Sequence, residues 1–392
     1  MIEHKNIRQK ILKDIIVSLL AVCLMFFFVI VAISIKPLNP IKRALENFSF
    51  TDIYYEILND TGEPDTSRII TIVDLTRLTN RSDIAKTIND IATASPKIIG
   101  IDCCFDNIGE DVEGNERIID VAQKHSNIVW AYKLLDHSDS DNIGWTKEIH
   151  SFFTNFTDVC EGTVNMPRSL YDPTKRTIPL KERSSGKECL SFPSQIVNAY
   201  TGKHIEDNHP ADIDINFSPI VFNTLQPEEI TSHKDLIENQ IVLLGSLYED
   251  ADTHWTPLGK MAGVELLAYS IQTLIYNKEV QTLNTPLYML ATFILVLFTQ
   301  MWQEMFIEKT QNSHNIFVRY LIGSSYVMNL LITLVSFVLI GFSFFTFKYY
   351  NVSFNMAWAL SIIAFLSTSR LMYKSLSNYF QAVAQDKNNK QV

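Results

Sequence analysis

Glycine is scarce in this chain, 13 of 392 residues, under half the roughly 7% that is usual. No Walker or dinucleotide-binding glycine fingerprint occurs, which excludes phosphate-cradling loops of those kinds. Cysteine is also sparse: five residues, none at zinc-site spacing. No nucleophile elbow, metalloprotease motif or kinase signature is present. There is no internal repeat and no low-complexity linker. Charge is missing from four long stretches, Ile15–Ile35, Val280–Gln303, Tyr320–Phe347 and Tyr349–Ser369. A membrane-crossing helix needs about 20 apolar residues. The sequence therefore predicts four transmembrane helices, at 15–35, 286–305, 320–347 and 350–372.

The first stretch reads as an uncleaved anchor rather than a signal peptide. It exceeds the ~7–15 residues of an h-region, and Lys36-Pro37-Leu38-Asn39-Pro40 is no small-residue cleavage site. Basic residues set the orientation. Lys5, Arg8, Lys10 and Lys13 precede the first span, Lys309 and Arg319 lie between the second and third, and Arg370 and Lys374 close the fourth. This predicts residues 1–14 and 373–392 in the cytoplasm and 36–285 outside, as in a multi-pass protein of the inner (cytoplasmic) membrane. The outer segment holds 22 Lys+Arg against 38 Asp+Glu, net −16, and the remainder is net +6. So acidic a surface argues against nucleic acid as a partner.

Residues 36–285 read as α/β, a mostly parallel sheet with flanking helices and an inserted hairpin. A helix is expected over Asn39–Glu56. Buried strands are expected at Arg68–Val73, Lys97–Ile101 and Asn127–Leu134. A helix from the N-cap Ser82, with Ile84, Ile88 and Ile91 on one face, and another over Asn115–His125 alternate with them. That alternation implies right-handed crossovers. His137–Phe156 reads as an insertion or loop. Gly162–Met166 and Thr177–Leu180 flank Tyr171-Asp172-Pro173 as a hairpin. Cys160 and Cys189, at its open end, make a candidate disulfide; two buried thiols fit the same positions. Cys103 and Cys104, adjacent on a strand, should point to opposite faces. Phe192–Tyr200 should be helical and Asp212–Phe217 a strand.

The richest stretch is Gln240–Tyr276. An apolar strand, Ile241–Leu244, ends at Gly245. An acidic loop with Glu249, Asp250, Asp252 and His254 follows, then a Thr256-Pro257-Leu258-Gly259 turn. A helix then places Val264, Leu267, Ile271 and Leu274 on one stripe. In open α/β sheets ligands bind at the carboxyl ends of strands. Asp74, Asp102 and the Asp252/His254 loop each follow a strand. If the first, second and last strands pair, these groups converge; Arg81 either pairs with Asp74 or Asp102 or sits on the helix surface. Converging carboxylates bind Ca²⁺ or Mg²⁺, or serve as acid and base. Aspartate after a strand equally caps a helix or satisfies loop N–H groups. The candidate ligand-binding set is Asp74, Arg81, Asp102, Asp252 and His254, with no cofactor expected unless a divalent cation sits there.

These residues carry a resemblance. Gly245, Asp252, Thr256, Pro257, Gly263, Val264, Glu265 and Ala268 resemble the end of the CHASE type-2 domain, an extracellular sensory module of bacterial membrane signalling proteins. Asp74 with Thr76 and Arg81 looks like that family's opening strand–Asp motif, and Ile99-Gly100-Ile101-Asp102 like its second. Gly162–Asn165 and Thr177–Leu180 are similar to its central hairpin. Leu267 stands where members often have His, Leu75 where they have a second acid, and their Trp-Pro near the following Arg is missing. The resemblance implies a sensory ectodomain, not an enzyme. Members continue into a kinase or cyclase, whereas about 23 residues follow Ser369 here, fewer than the ~50 of a small domain. The expectation is a sensor of a small-molecule or protein ligand that relays through its membrane helices to a separate transmitter. A membrane-tethered periplasmic metal-dependent hydrolase and a structural subunit of a membrane complex are the alternatives.

Overall fold

The computed structural model describes residues 2–34, 49–138, 143–166, 173–283, 285–322, 325–354 and 356–389. The chain forms two compact units. One comprises residues 1–50 and 282–392, the other residues 51–281.

The first unit is helical: α1 (Ile2–Ser34), α7 (Thr285–Gln311), α8 (Ser325–Tyr350) and α9 (Met356–Asn389). Ala21, Met25, Val296, Ile362, Ile363 and Leu366 form its core. Leu19, Phe27, Ile30, Phe298, Leu334 and Phe337 are exposed, an apolar surface suited to lipid rather than water. Lys10 pairs with Glu308 at 2.8 Å and Lys13 with Glu304, so the start of α1 lies beside the end of α7. Among the described residues three helices are long and apolar enough to cross a membrane, over Lys10–Phe28, Leu287–Gln311 and Ile332–Tyr350. The fourth predicted span is not among them. Its first residues, 350–354, end α8 and run extended before α9, and its part in α9 soon meets Ser367, Thr368, Ser369 and Arg370.

The second unit begins with α2 (Phe50–Thr61), whose Asp52 is held by Arg176 and whose Tyr55 hydroxyl donates to the Ile215 carbonyl at 3.2 Å. Most of the predicted Asn39–Glu56 helix lies outside the described residues. The central sheet is built on β1 (Asp65–Asp74), β2 (Ile98–Ile101), β3 (Ile128–His137), β10 (Ile220–Leu225) and β11 (Ile241–Gly245), all parallel, in the order β10-β1-β11-β2-β3. β11 is buried along its whole length, as its unbroken apolar run requires of a central parallel strand. The crossovers are α3 (Arg81–Thr93) and α4 (Val112–Lys124). Asn80, not Ser82, caps α3, accepting from the Asp83 N–H at 2.7 Å. Asp111 caps α4, which therefore starts before Asn115. On one face Val73, Ile99, Ile101, Val242, Leu244 and Trp130 pack against Ile88, Ile91, Ile118 and Val121. On the other lie α5 (Phe192–Thr201) and α6 (Gly263–Ile275). A Cβ on Gly100 would stand 2.6 Å from Ile196, so glycine lets α5 settle on β2.

The outer edge of β3 is shared. β5 (Cys160–Thr163) pairs parallel with Val129–Tyr132, and β4 (Trp145–Ile149) pairs antiparallel with Lys133–His137. β4 was expected as loop. Only Trp145 of its WTKEI is buried, so it carries almost no apolar signal. β7 (Lys181–Ser184) and β8 (Lys187–Leu190) extend this edge. The expected hairpin does not form. Thr177–Pro179 (β6) pairs instead with Asp212–Asp214 (β9), and residues 167–172 lie outside the described set. Cys160 and Cys189 are free thiols; Cys189 donates to the Glu182 carbonyl at 3.4 Å. Cys103 and Cys104 lie just past β2 in a loop, not on a strand.

Candidate ligand cleft at the carboxyl edge of the sheet

The tips of β1, β11 and β2 are level. Asp74 pairs in register with Gly245 and Leu244 with Ile101. The Leu75 N–H donates to the Gly245 carbonyl at 2.9 Å and the Asp102 N–H to the Leu244 carbonyl at 2.8 Å. Three strands expected to meet do meet. β11 lies between the other two, however, so Asp74 and Asp102 are two strand spacings apart, about 10 Å rather than about 5 Å.

That spacing separates their roles. Asp74 is buried and accepts from its surroundings at both oxygens. Its Oδ1 takes the Thr76 N–H at 3.0 Å, the Thr76 hydroxyl, and the Leu247 N–H at 3.2 Å; its Oδ2 takes the Gln226 amide at 3.2 Å. Burial alone would raise this carboxyl, but those bonds hold it below the usual range. Asp74 thus organises the loops after β1 and β11, and donors of the protein itself occupy it.

Asp102 is the opposite case. No hydrogen bond or ion pair reaches its carboxyl among the described residues. Burial first, and then the nearby Asp252 carboxylate, push it up to about 7, with Lys133 pulling the other way. Asp252 lies against the first residue of α6: a Cβ on Gly263 would be 2.7 Å from its Oδ2. Glycine is needed there for the carboxylate to reach the helix N-terminus, where the dipole favours it. Burial raises Asp252 too, opposed by His254 and Lys133. His254 stands on the hairpin of β12 (Thr253–Thr256) and β13 (Gly259–Ala262), its Nε2 3.8 Å from Asp252. Burial lowers it more than Asp252 raises it, which favours the neutral ring. Thr256 closes the hairpin, accepting from the Leu258 N–H at 3.2 Å, and Gly259 takes a φ of +97°.

Asp102, Asp252 and His254 line one cleft of about 960 Å³ with Lys133, Ser246 and Leu267. Gly245 lets it form: a Cβ there would be 2.7 Å from Val264, forcing α6 off the strand end. Arg81 does not join the cluster. Its guanidinium reaches Asn115 and the Asn107 carbonyl, at 2.7 Å for the latter, and stacks over Phe152 and Phe105. It ties the loop after β2 to α4. Lys133, which the sequence reading missed, is the one charged residue in Ile128–Leu134, and that was the available signal. Gln226 carried none, since its strand β10 went unrecognised.

The cleft can hold and exchange a proton at Asp102. Neither of its thiols is disposed to act as a nucleophile: burial pushes Cys103 up to about 12 and raises Cys104 as well. Among the described residues, no three His, Cys, Asp or Glu side chains are placed to hold a metal ion.

A family model described as "CHASE2 domain" matches residues 22–301, most of the chain and every cleft residue named above. No curated protein and no solved structure matches it.

Proposed function

The chain belongs to the CHASE2 domain family of extracellular sensory domains, and from that premise we propose that it reads a ligand in this cleft and relays the signal through its membrane helices to a separate cytoplasmic transmitter. The observation that carries this reading is the seat of Asp252. One side chain both lines the cleft and rests on the N-terminus of α6. A ligand that changes the charge or solvation of Asp252 changes how well the helix start is held. In sequence α6 continues through residues 276–284 into α7, the first membrane helix after the sensory unit. Movement at the cleft therefore has a short covalent route to the bilayer. The acidic outer segment faces the extracytoplasmic side in this reading, and the basic ends of the helices face the cytoplasm.

The test places a photo-crosslinking side chain at the exposed Tyr379 of α9 in living cells. Ser246→Trp then plugs the cleft with an indole. The expected result is a specific cytoplasmic partner, a kinase or cyclase, whose capture changes at least twofold when the cleft is plugged. Capture that is identical with the cleft open and plugged would rule out the relay.

A further inference from the structure

The cleft holds charges of both signs that do not satisfy one another. Asp102 and Asp252 lie on the β2 and α6 side and Lys133 projects from β3. Lys133 is near enough to draw both carboxylates down. Yet no ion pair joins it to either among the described residues, and no hydrogen bond reaches the Asp102 carboxyl. A desolvated carboxyl such as Asp102 would ordinarily pair with so near a cation, because an unpaired buried charge is costly. Leu75, Leu78, Ile84, Leu134 and Leu267 supply an apolar lining between them. The volume, about 960 Å³, is that of a small organic ligand site, ~300–1,000 Å³, and far exceeds what one ion needs.

Building on the sensory reading above, we infer that the ligand is a small zwitterion of the amino-acid type. Its ammonium group sits between Asp102 and Asp252, its anionic group meets Lys133, and its carbon chain lies on the leucines. Such a molecule answers Asp102, Asp252 and Lys133 at once. A simple amine would leave Lys133 facing a cation, and a simple carboxylate would be repelled by two acids. A divalent metal would find too few ligands. His254, kept neutral by burial, does not compete for the carboxylates. Engagement of Asp252 by the ammonium would act on the start of α6, coupling ligand chemistry to the relay.

The experiment is calorimetric titration of the full chain in lipid nanodiscs. The probes are the proteinogenic amino acids, 2-aminobutyrate, 4-aminobutyrate, and the single-charge controls butylamine and butyrate. At least one zwitterion should bind saturably, with both controls tenfold or more weaker. Asp102→Asn and Lys133→Met should each weaken that zwitterion at least tenfold. Lys133 is exposed, so its variant decides the matter if Asp102→Asn melts early. Butylamine binding as well as any zwitterion, unaffected by Lys133→Met, would overturn the zwitterion and leave the cleft as a ligand site. Zwitterion binding that survives both variants and Ser246→Trp would place the ligand elsewhere, overturning this inference and the cleft reading together. No saturable heat from any zwitterion would overturn the inference alone, since the crosslinking readout does not depend on which ligand is bound.

Discussion

Asp74 and Asp102 end two parallel strands of the same sheet, one on either side of β11, and they have opposite fates. Asp74 is surrounded by donors from three segments, Thr76, Gln226 and Leu247. Asp102 faces a cleft with no hydrogen-bond partner among the described residues and is pushed up to about 7. Strand position alone made both look like site residues. What divides them is the supply of donors. The loop after β1 folds back on its own aspartate, whereas the chain after β2 leaves through Cys103 and Cys104 toward the segment that follows β4, where the Phe105 N–H donates to the Ser151 hydroxyl. One carboxyl is taken up by donors of the protein itself; the other meets none among the described residues.

The comparison can be broken from the structural side first. Asp74→Ala strands buried donors of three residues and should destabilise the protein by about 3 kcal/mol, since bonds to a charged group contribute ~1.5–3 kcal/mol each and are not additive. Denaturant unfolding of the full chain gives the number; a loss under 1 kcal/mol would remove Asp74 from its structural role. Next in size, Gly245→Ala sets a methyl 2.7 Å from Val264 Cβ, an overpacking that should cost about 2 kcal/mol. Because it pushes α6 away from β11, it should also widen the cleft, read as faster hydrogen exchange at the start of α6.

Asp102 sharpens the contrast through pH. Its folded-state value lies above the ordinary carboxylate value, so the stability it confers is full at low pH and is lost as pH rises through about 7. Between pH 5 and pH 8 the loss should be about 1 kcal/mol, allowing for partial access of solvent. Asp252, also raised, adds in the same direction. Asp102→Asn should flatten that slope and be the more stable protein at pH 8; an unchanged slope would mean the carboxyl is not desolvated. Asp74, held low, works the other way: its contribution fades only in acid. The smallest effect is that of Lys133→Met, which removes an attraction and should move the Asp102 titration upward by less than one unit. NMR of a carboxyl-labelled protein would follow it, and a downward move would contradict the placement of Lys133.

Much of the fold was legible. Arg68–Val73, Lys97–Ile101 and Ile241–Leu244 are short apolar runs that read as buried parallel strands; their pairing was only a condition in the sequence, and it is met by β11 lying between β1 and β2. The helix Gly263–Ile275 was written in its stripe. What stayed hidden has physical causes. β4 buries one side chain of five, so the two-residue alternation has nothing to display. Ser82 and Asn80 are both good caps, and sequence does not say which backbone turns first. Arg81 reads in the sequence either as a partner of the acids, which its charge suits, or as a helix-surface residue. Its long side chain found aromatic faces and an asparagine on α4 instead, contacts between segments far apart in the chain. The site was half legible: Asp252 and His254 do sit with Asp102, Asp74 does not, and Lys133 was visible only as a lone charge in a buried strand.

The place of β11 between β1 and β2 bears on how the domain is made. Ile70 finds its partner at Ile241, 171 positions later. The two earlier strands cannot zip to each other, since the middle of the sheet is the last of its strands to leave the ribosome. Contacts this remote fold slowly, and until residue 245 emerges both inner edges stand open to stray pairing. A chain cut anywhere before Ile241 should then be a ready substrate for proteases, while one cut after Ile275 should not. The strand that shapes the cleft is also the checkpoint for assembling the sheet.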